Sequence, residues 1–337
     1  MNDTRILDML GRINGEVAVV GSMNADYTVM VDRLPQPGET VKAGPLTILP
    51  GGKSGNQAAT AARIGANVRL FGAIGDDANA AFLLGKLNEA AVDTSNVCHV
   101  SGPSGATVIT VDAHGENTIA YSPGSNSRVD TAYIESSRHE LTKARILGLC
   151  LESPMDALIT ASRIAHESGM TVLVNNSPFM PRLPQELVES TDILLVNEHE
   201  MAQMLGFDEP ENGNWDDFDW NEAAGRLRAS NYSRAIITLG SNGSMVIDHT
   251  RITRIAPVMV DAVDTTGCGD AFMGTVLAGL ASGSSLEESA TLASFVSAYA
   301  ATGHGAQASY GTSQQIQDYF KCGNNTESID IPGTKGA

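Results

Sequence analysis

The sequence predicts an α/β fold: a doubly wound, mostly parallel sheet flanked by helices, carrying a small β-sheet lid. Three observations carry that prediction. Short runs of Val, Ile and Leu recur without polar alternation, as in strands covered on both faces. Helical patterns lie between several of them, and such alternation builds parallel sheets. Two further segments read as strand pairs around turn residues and interrupt the alternation.

Along the chain, residues 1–15 (MNDTRILDMLGRING) read as a short amphipathic or disordered extension ahead of a domain at 16–321. Val17–Val20 is the first buried strand. Tyr27–Leu49 then departs from the sheet, with TVMVDRL and VKAGPLTIL joined by the turn-rich PQPGE. Helix Asn56–Ile64 follows a glycine-rich turn, strand Val68–Phe71 returns to the sheet, and helix Ala78–Ala90 comes next. In Cys98–Ser122, ATVITVDAHGENTIAYS reads as two strands around a His-Gly turn. The lid is therefore assigned to about 27–49 and 98–122. Strands Ile146–Leu149, Val172–Val174, Ile193–Val196 and Ile236–Leu239 alternate with helices Met155–Glu167, His199–Leu205 and Asn221–Ala229. Helices Ala271–Leu280 and Leu286–Ala301 follow. Residues 208–220 (DEPENGNWDDFDW) read as a solvated acidic loop, in which Trp215 and Trp220 are the one hint of a contact. The tail at 322–337 reads as flexible.

Composition narrows the function. The 337 residues, 42% of them apolar, suffice for a large core. A net charge of −18 argues against non-specific binding to nucleic acid or an anionic membrane, since both are polyanions. A nucleotide can still bind where local amides and a lysine face it. Cys98, Cys150, Cys268 and Cys322 form no CxxC pair and no zinc spacing, which suits reduced thiols in the cytoplasm. No apolar run is long enough to span a membrane, and residues 1–15 lack a signal-peptide core.

Five motifs could carry chemistry. Asp264–Asp270 (DTTGCGD) leads into an apolar helix. Gly267, Cys268 and Gly269 would let an anion approach the free amides of a helix N-terminus, and Asp270 in the first turn could take a proton from a hydroxyl. Plain turn and cap roles are the alternative. Gly51–Gln57 (GGKSGNQ) has the GKS of a P-loop but Thr47 where the first glycine must stand, so it is not one. Its backbone, Lys53 and Asn56 suit a polyhydroxylated ligand. GSMNAD follows the first strand, and its Asn24 and Asp26 could bind adjacent hydroxyls at a strand end. Glu152 in LESP and Asn197–Glu200 (NEHE) also follow strands. Glu200 could support magnesium through water, while Asn197 equally suits a helix cap. TLGSNG at 238–243 offers hydroxyls and amides to phosphates, or else a hairpin turn.

Taken together, GSMNAD, PGET, GGKSGNQAA, GDD, LESP, NEHE, TLGSNG, DTTGCGDAF and GHGAQAS resemble the ribokinase family of carbohydrate kinases from about Val17 to Phe320. The resemblance implies ATP-dependent phosphorylation of a sugar, with D-ribose at its 5-hydroxyl the first expectation and Asp270 as base. It implies sugar contacts from Asn24, Ala25, Asp26, Gly52, Lys53, Ser54, Gly55, Asn56 and Glu152. Asn197, Thr238, Leu239, Gly240, Ser241, Asn242, Gly243 and Ser294 would line the nucleotide site with Gly269 and Asp270, and Gly267–Gly269 would hold the transferring phosphoryl group. Mg2+ would accompany ATP near Glu200. A monovalent cation, usually K+, would sit near Asp264, Thr266, Ala300, Gly303, Gly305 and Ser309. The family lid implies a homodimer. Where family members often carry Ala or Gly, Cys268 stands, which would make activity sensitive to thiol reagents. A family kinase for deoxyribose, a nucleoside or a ketohexose is the near alternative, and a non-catalytic sugar-binding regulator the remote one. A dinucleotide-binding dehydrogenase would need GxGxxG after the first strand, which GSMNAD lacks.

Overall fold

The computed structural model describes residues 3–210 and 213–321. Its strands are β1 (Glu16–Val20), β2 (Asn24–Met30), β3 (Thr47–Gly51), β4 (Asn67–Phe71), β5 (Ala73–Ile74), β6 (Cys98–His99), β7 (Gly105–Val111), β8 (Asn117–Ser122), β9 (Ile146–Leu149), β10 (Thr171–Asn175), β11 (Ile193–Asn197), β12 (Arg234–Thr238), β13 (Ser244–Asp248) and β14 (Arg251–Ile255). Eight of them form the main sheet in the order β14-β13-β12-β11-β10-β9-β1-β4. It is parallel from β4 to β12 and ends in the antiparallel strands β13 and β14.

Burial explains the apolar runs. Val17 and Val19 of β1 face one core, and Ala18 and Val20 face the other. Helices Lys53–Arg63, Cys268–Ala281 and Leu286–Ala300 cover the first face, and helices Met155–Glu167, Glu198–Leu205 and Trp220–Ala229 the second. Lys53–Arg63 and Cys268–Ala281 pack closely because Gly274 lies on the Gln57 carbonyl. A Cβ at Gly274 would come within 2.4 Å of that oxygen.

The strand order places the site. β1 pairs with β4 on one side and with β9 on the other, so the connections diverge between β1 and β9. A crevice opens at the carboxyl ends of strands where connections diverge in this way. Val20 is level with Leu149, so the chain leaves both strands at one height.

A separate sheet, ordered β3-β2-β7-β8, forms the expected lid. The His-Gly turn joins β7 to β8, with Asp112 accepting from the Gly115 amide at 3.0 Å. Two boundaries differ from expectation. The lid strand β2 starts at Asn24, so Asn24 and Asp26 stand on it rather than in a loop. Cys98–His99 pairs with β5, outside the lid sheet. Helices also start earlier than apolar periodicity suggests, at Lys53, Glu198 and Cys268, because their first turns are polar or small.

Two further expectations are corrected. Residues 3–12 are helical, and Ile6, Leu7 and Leu10 lie in the core on one face of that helix. The segment is amphipathic, the first of the two readings the sequence offered, and docked on the core instead of disordered. Residues 208–220 are not simply solvated either. Trp215 is 3% exposed and packs edge-on against Phe218 at 4.9 Å, and the Trp220 indole donates to the Trp215 carbonyl at 3.2 Å. Asp216, Asp217 and Asp219 point outward while Trp215 and Trp220 on either side turn in, which an averaged polarity hides. The tail at 322–337, with Cys322, lies outside the described residues. Among the described residues, no helix is long and apolar enough to cross a membrane.

Candidate active site

Glu152, just past β9, ties the crevice together. Its Oε2 accepts from the Ser22 hydroxyl at 2.5 Å and from the Lys53 backbone N–H at 2.9 Å. A carboxylate thus meets the positive end of helix Lys53–Arg63, where the helix dipole favours it. Beside it, Asn24 Oδ1 accepts from Asn126 Nδ2 at 2.7 Å. Asn126 is fully buried, and its Oδ1 also accepts from the Met23 amide at 3.0 Å. Asp26 stands one residue pair further along β2, opposite Leu49 and Thr107.

Asp270 comes from the other side. Gly267 adopts φ 77 at the start of helix Cys268–Ala281. A Cβ there would meet Ala306 and the Tyr310 hydroxyl at 2.5 Å, so the turn demands glycine. Tyr310 clamps that turn by donating its hydroxyl to the Gly267 carbonyl at 2.9 Å. Cys268, Gly269 and Asp270 then form the first helical turn, whose N–H groups lack intrahelical acceptors. Asp270 is buried, and two amides hold its carboxylate: Asn56 Nδ2 donates to Oδ2 at 2.9 Å, and Gln57 Nε2 donates to Oδ1 at 3.1 Å.

The charges are coupled. Burial pushes the Asp270 carboxyl above its usual value, against the pull of Lys53 and the two amides. Burial would lower the Lys53 pKa, yet Asp270 and Glu152 more than offset it and hold the ammonium above its usual value. Asp26 is pushed up to about 6, first by burial and then by Glu152 and Asp270, against a hydrogen bond from Thr107. Three carboxylates and one ammonium thus act on one another across the crevice. Such a set can bind hydroxyls through ionised oxygens and take up one proton.

A cavity of about 390 Å³ adjoins this centre, within the range for small-molecule sites. Thr238, Gly240, Ser241 and Gly243 line one side and Ser294 another, while Cys268 and Gly269 connect it to the Asp270 turn. A Cβ on Gly269 would meet nothing within 4 Å, so the helix start faces open space. The TLGSNG segment is also the expected hairpin turn, with Leu239 N–H bonded to the Gly243 carbonyl at 2.9 Å. Next to the cavity, Asp264 accepts from Thr266 N at 2.9 Å and from Gly305 N at 2.8 Å. Burial opposes its charge, but those amides outweigh it and hold the carboxyl below its usual value.

Some expected contacts are otherwise engaged. Ser54 is buried, with its hydroxyl 3.1 Å from Cys150 Sγ beneath the crevice. Ala25 and Leu239 are buried among core side chains. Asn242 is not among the cavity walls; its carbonyl accepts from Arg254 at 3.0 Å. Asn197 caps helix Glu198–Leu205 through Glu200 N at 2.7 Å, and Glu200 Oε2 accepts from Asn197 N at 2.8 Å. The Cys268 thiol is pushed up to about 11 by burial, then by Asp264 and Asp270, which keeps it protonated near neutral pH. Among the described residues, no cluster of three or more His, Cys, Asp or Glu could hold a metal ion.

With this geometry in place, comparison with known proteins is decisive. The pfkB family carbohydrate kinase model matches residues 14–313. The chain belongs to that family. As a pfkB carbohydrate kinase it is a sugar kinase that uses ATP. A ribokinase of Schizosaccharomyces pombe is 33% identical over 321 residues, covering 92% of this chain and 99% of the relative. A Salmonella typhimurium deoxyribokinase is 28% identical, covering 90% of this chain and 98% of the relative. The structure of an Arabidopsis thaliana ribokinase with ribose and ATP superposes with a TM-score of 0.83 at 26% identity, over 91% of this chain and 99% of that one.

Sequence reasoning missed Gln57, Asn126, Gln307 and Tyr310, which hold the site residues rather than carry its chemistry. Gln57 and Gln307 lie inside GGKSGNQ and GHGAQAS, so their neighbourhood was visible. Asn126 and Tyr310 had no local signal.

Proposed function

We propose that this pfkB kinase transfers the γ-phosphoryl group of ATP to the 5-hydroxyl of D-ribose. The observation that carries the reading is Asp270: a buried carboxylate on the first turn of a helix whose Cys268 and Gly269 line the cavity. Asn24, Asp26, Glu152 and Lys53 would orient the sugar. Asp270 would take the O5 proton as O5 attacks the γ-phosphorus. The bond from that phosphorus to the bridging oxygen breaks, ADP departs, and the proton stays on Asp270. Gly269 and its neighbours would donate N–H groups to the transferring phosphoryl oxygens, where most of the rate enhancement of such a reaction arises.

Glu200 suits a hydrated Mg2+, because its Oε1 makes no hydrogen bond among the described residues while Oε2 is taken. When bound with ATP, Mg2+ would neutralise phosphate charge. The Asp264 loop, tied to Gly305, is where K+ would bind with carbonyls near Ala300 and Gly303 and with Ser309. Met30 and Ile119 on one lid face, and Ile48 and Val108 on the other, are 43–60% exposed, which supports a homodimer closed through the lids. Four cysteines without CxxC or zinc spacing support a cytoplasmic location.

The likeness to deoxyribokinase makes 2-deoxyribose the second candidate, one hydroxyl away. ADP release measured over a panel of ribose, 2-deoxyribose, ketohexoses and nucleosides, with and without K+, tests the reading. Ribose should give the highest kcat/KM. A nucleoside or hexose ahead of both pentoses would overturn it.

A further inference from the structure

Two amides hold Asp270, but only one is itself held. Asn56 Oδ1 accepts from Gln307 Nε2 at 3.0 Å, while its Nδ2 donates to Asp270. Both ends of the Asn56 amide are therefore committed, and Gln307, 3% exposed, fixes which end faces the carboxylate. Gln57 differs: its Oε1 is buried and has no hydrogen-bond partner among the described residues. Nothing in the hydrogen-bond pattern fixes which end of the Gln57 amide faces Asp270, whereas Gln307 fixes that of Asn56. Gln307 lies between Gly305 and Ser309, on the loop whose Gly305 amide is bonded to Asp264.

We propose that Gln307 is a positioning residue that locks Asn56 as a donor to Asp270, and so links the 303–309 loop to the catalytic base. The inference rests on Asp270 being that base. Other groups act on the same carboxylate: Lys53 from the start of helix Lys53–Arg63, Glu152 from beyond β9, Asp26 from β2, and Cys268 and Tyr310 from its own turn and the loop. Gln307 adds a neutral lock that none of them supplies. Loss of the Asn56 donor removes one of the contacts that keep the Asp270 pKa down.

The decisive experiment compares pH profiles of kcat for the wild type, Gln307→Met, Gln307→Glu and Asp270→Asn, with melting temperatures for each. In Gln307→Met the donor is lost at nearly constant volume. The acid limb should move up by roughly 0.5–1 pH unit, the scale of one hydrogen bond to a charged group, with sugar KM changed less than kcat. Gln307→Glu is nearer in shape but accepts instead of donating. Asn56 would then turn its Nδ2 away from Asp270, so this variant should be the worse of the two. A merely structural Gln307 gives the reverse order and unshifted limbs, which would overturn the proposal. Turnover surviving in Asp270→Asn removes the base itself and overturns both readings. In the unmutated enzyme labelled with 15N-glutamine, the Gln307 side-chain signal should titrate with the kinetic acid limb. A signal that does not move overturns the proposal even if neither variant folds.

Discussion

Asp26→Asn should stabilise the fold while damaging the enzyme. Burial with Glu152 and Asp270 nearby lifts the Asp26 carboxyl from 3.8 to about 6. At ~1.36 kcal/mol per pKa unit, a shift of about 2 units costs the folded state about 3 kcal/mol when the group is ionised. The sign follows from the raised value. Well below pH 3.8 Asp26 is protonated folded and unfolded, and no cost arises. As pH rises from 4 through 6 the unfolded chain ionises first, so stability falls, and it levels off above that. Asparagine has the same shape, still accepts from Thr107, and carries no charge. Denaturant midpoints at pH 4.5 and pH 8 are the assay. The variant should gain up to about 3 kcal/mol at pH 8 and much less at pH 4.5. Loss of an ionised acceptor should raise the ribose KM roughly 10- to 150-fold at pH 8. A variant less stable than wild type at pH 8, or equally stabilised at both pH values, would refute the reasoning.

Three other outcomes follow from the same geometry. Gly269→Ala should fold with stability unchanged or up by as much as about 1 kcal/mol, because a helix prefers alanine, yet lose roughly 100-fold in kcat/KM for ATP as its methyl occupies the phosphate approach; thermal melts and initial rates check both halves. With its thiol near 11, Cys268 should be roughly one part in a thousand ionised at pH 8, so iodoacetamide should inactivate slowly and Cys268→Ala should retain most activity. Trp215→Ala should cost about 3–5 kcal/mol as its ring leaves the Phe218 and Trp220 cluster, with the sugar KM of folded enzyme unchanged.

Much of the architecture was legible because it rests on local periodicity. The unalternating runs of β1, β9, β10, β11 and β12 announce a sheet covered on both faces, and the excursions around PQPGE and His114-Gly115 announce the lid. What escaped depends on partners distant in sequence. Asn126 matters because Asn24 lies beside it in space, and Gln307 because Asn56 does. Neither pairing leaves a periodic trace. The docking of residues 3–12 was equally hidden, since the partners of Ile6 and Leu10 come from the other end of the chain. Polar averaging concealed the aromatic cluster at 215–220. In the site, the motif residues at strand ends were readable as types, but not their engagements: Ser54 faces Cys150, and Asn197 and Glu200 close a capping box.

The central claim is that Asp270 deprotonates the sugar on the first turn of helix Cys268–Ala281. Its most direct test is single-turnover phosphoryl transfer from ATP to ribose by Asp270→Asn, alongside calorimetric titration of the same protein with ATP. The account predicts a rate lower by about 100- to 10,000-fold, the range for a general base, with ATP affinity within a few-fold of wild type. Transfer at near wild-type rate by a folded variant that binds ATP normally would contradict it.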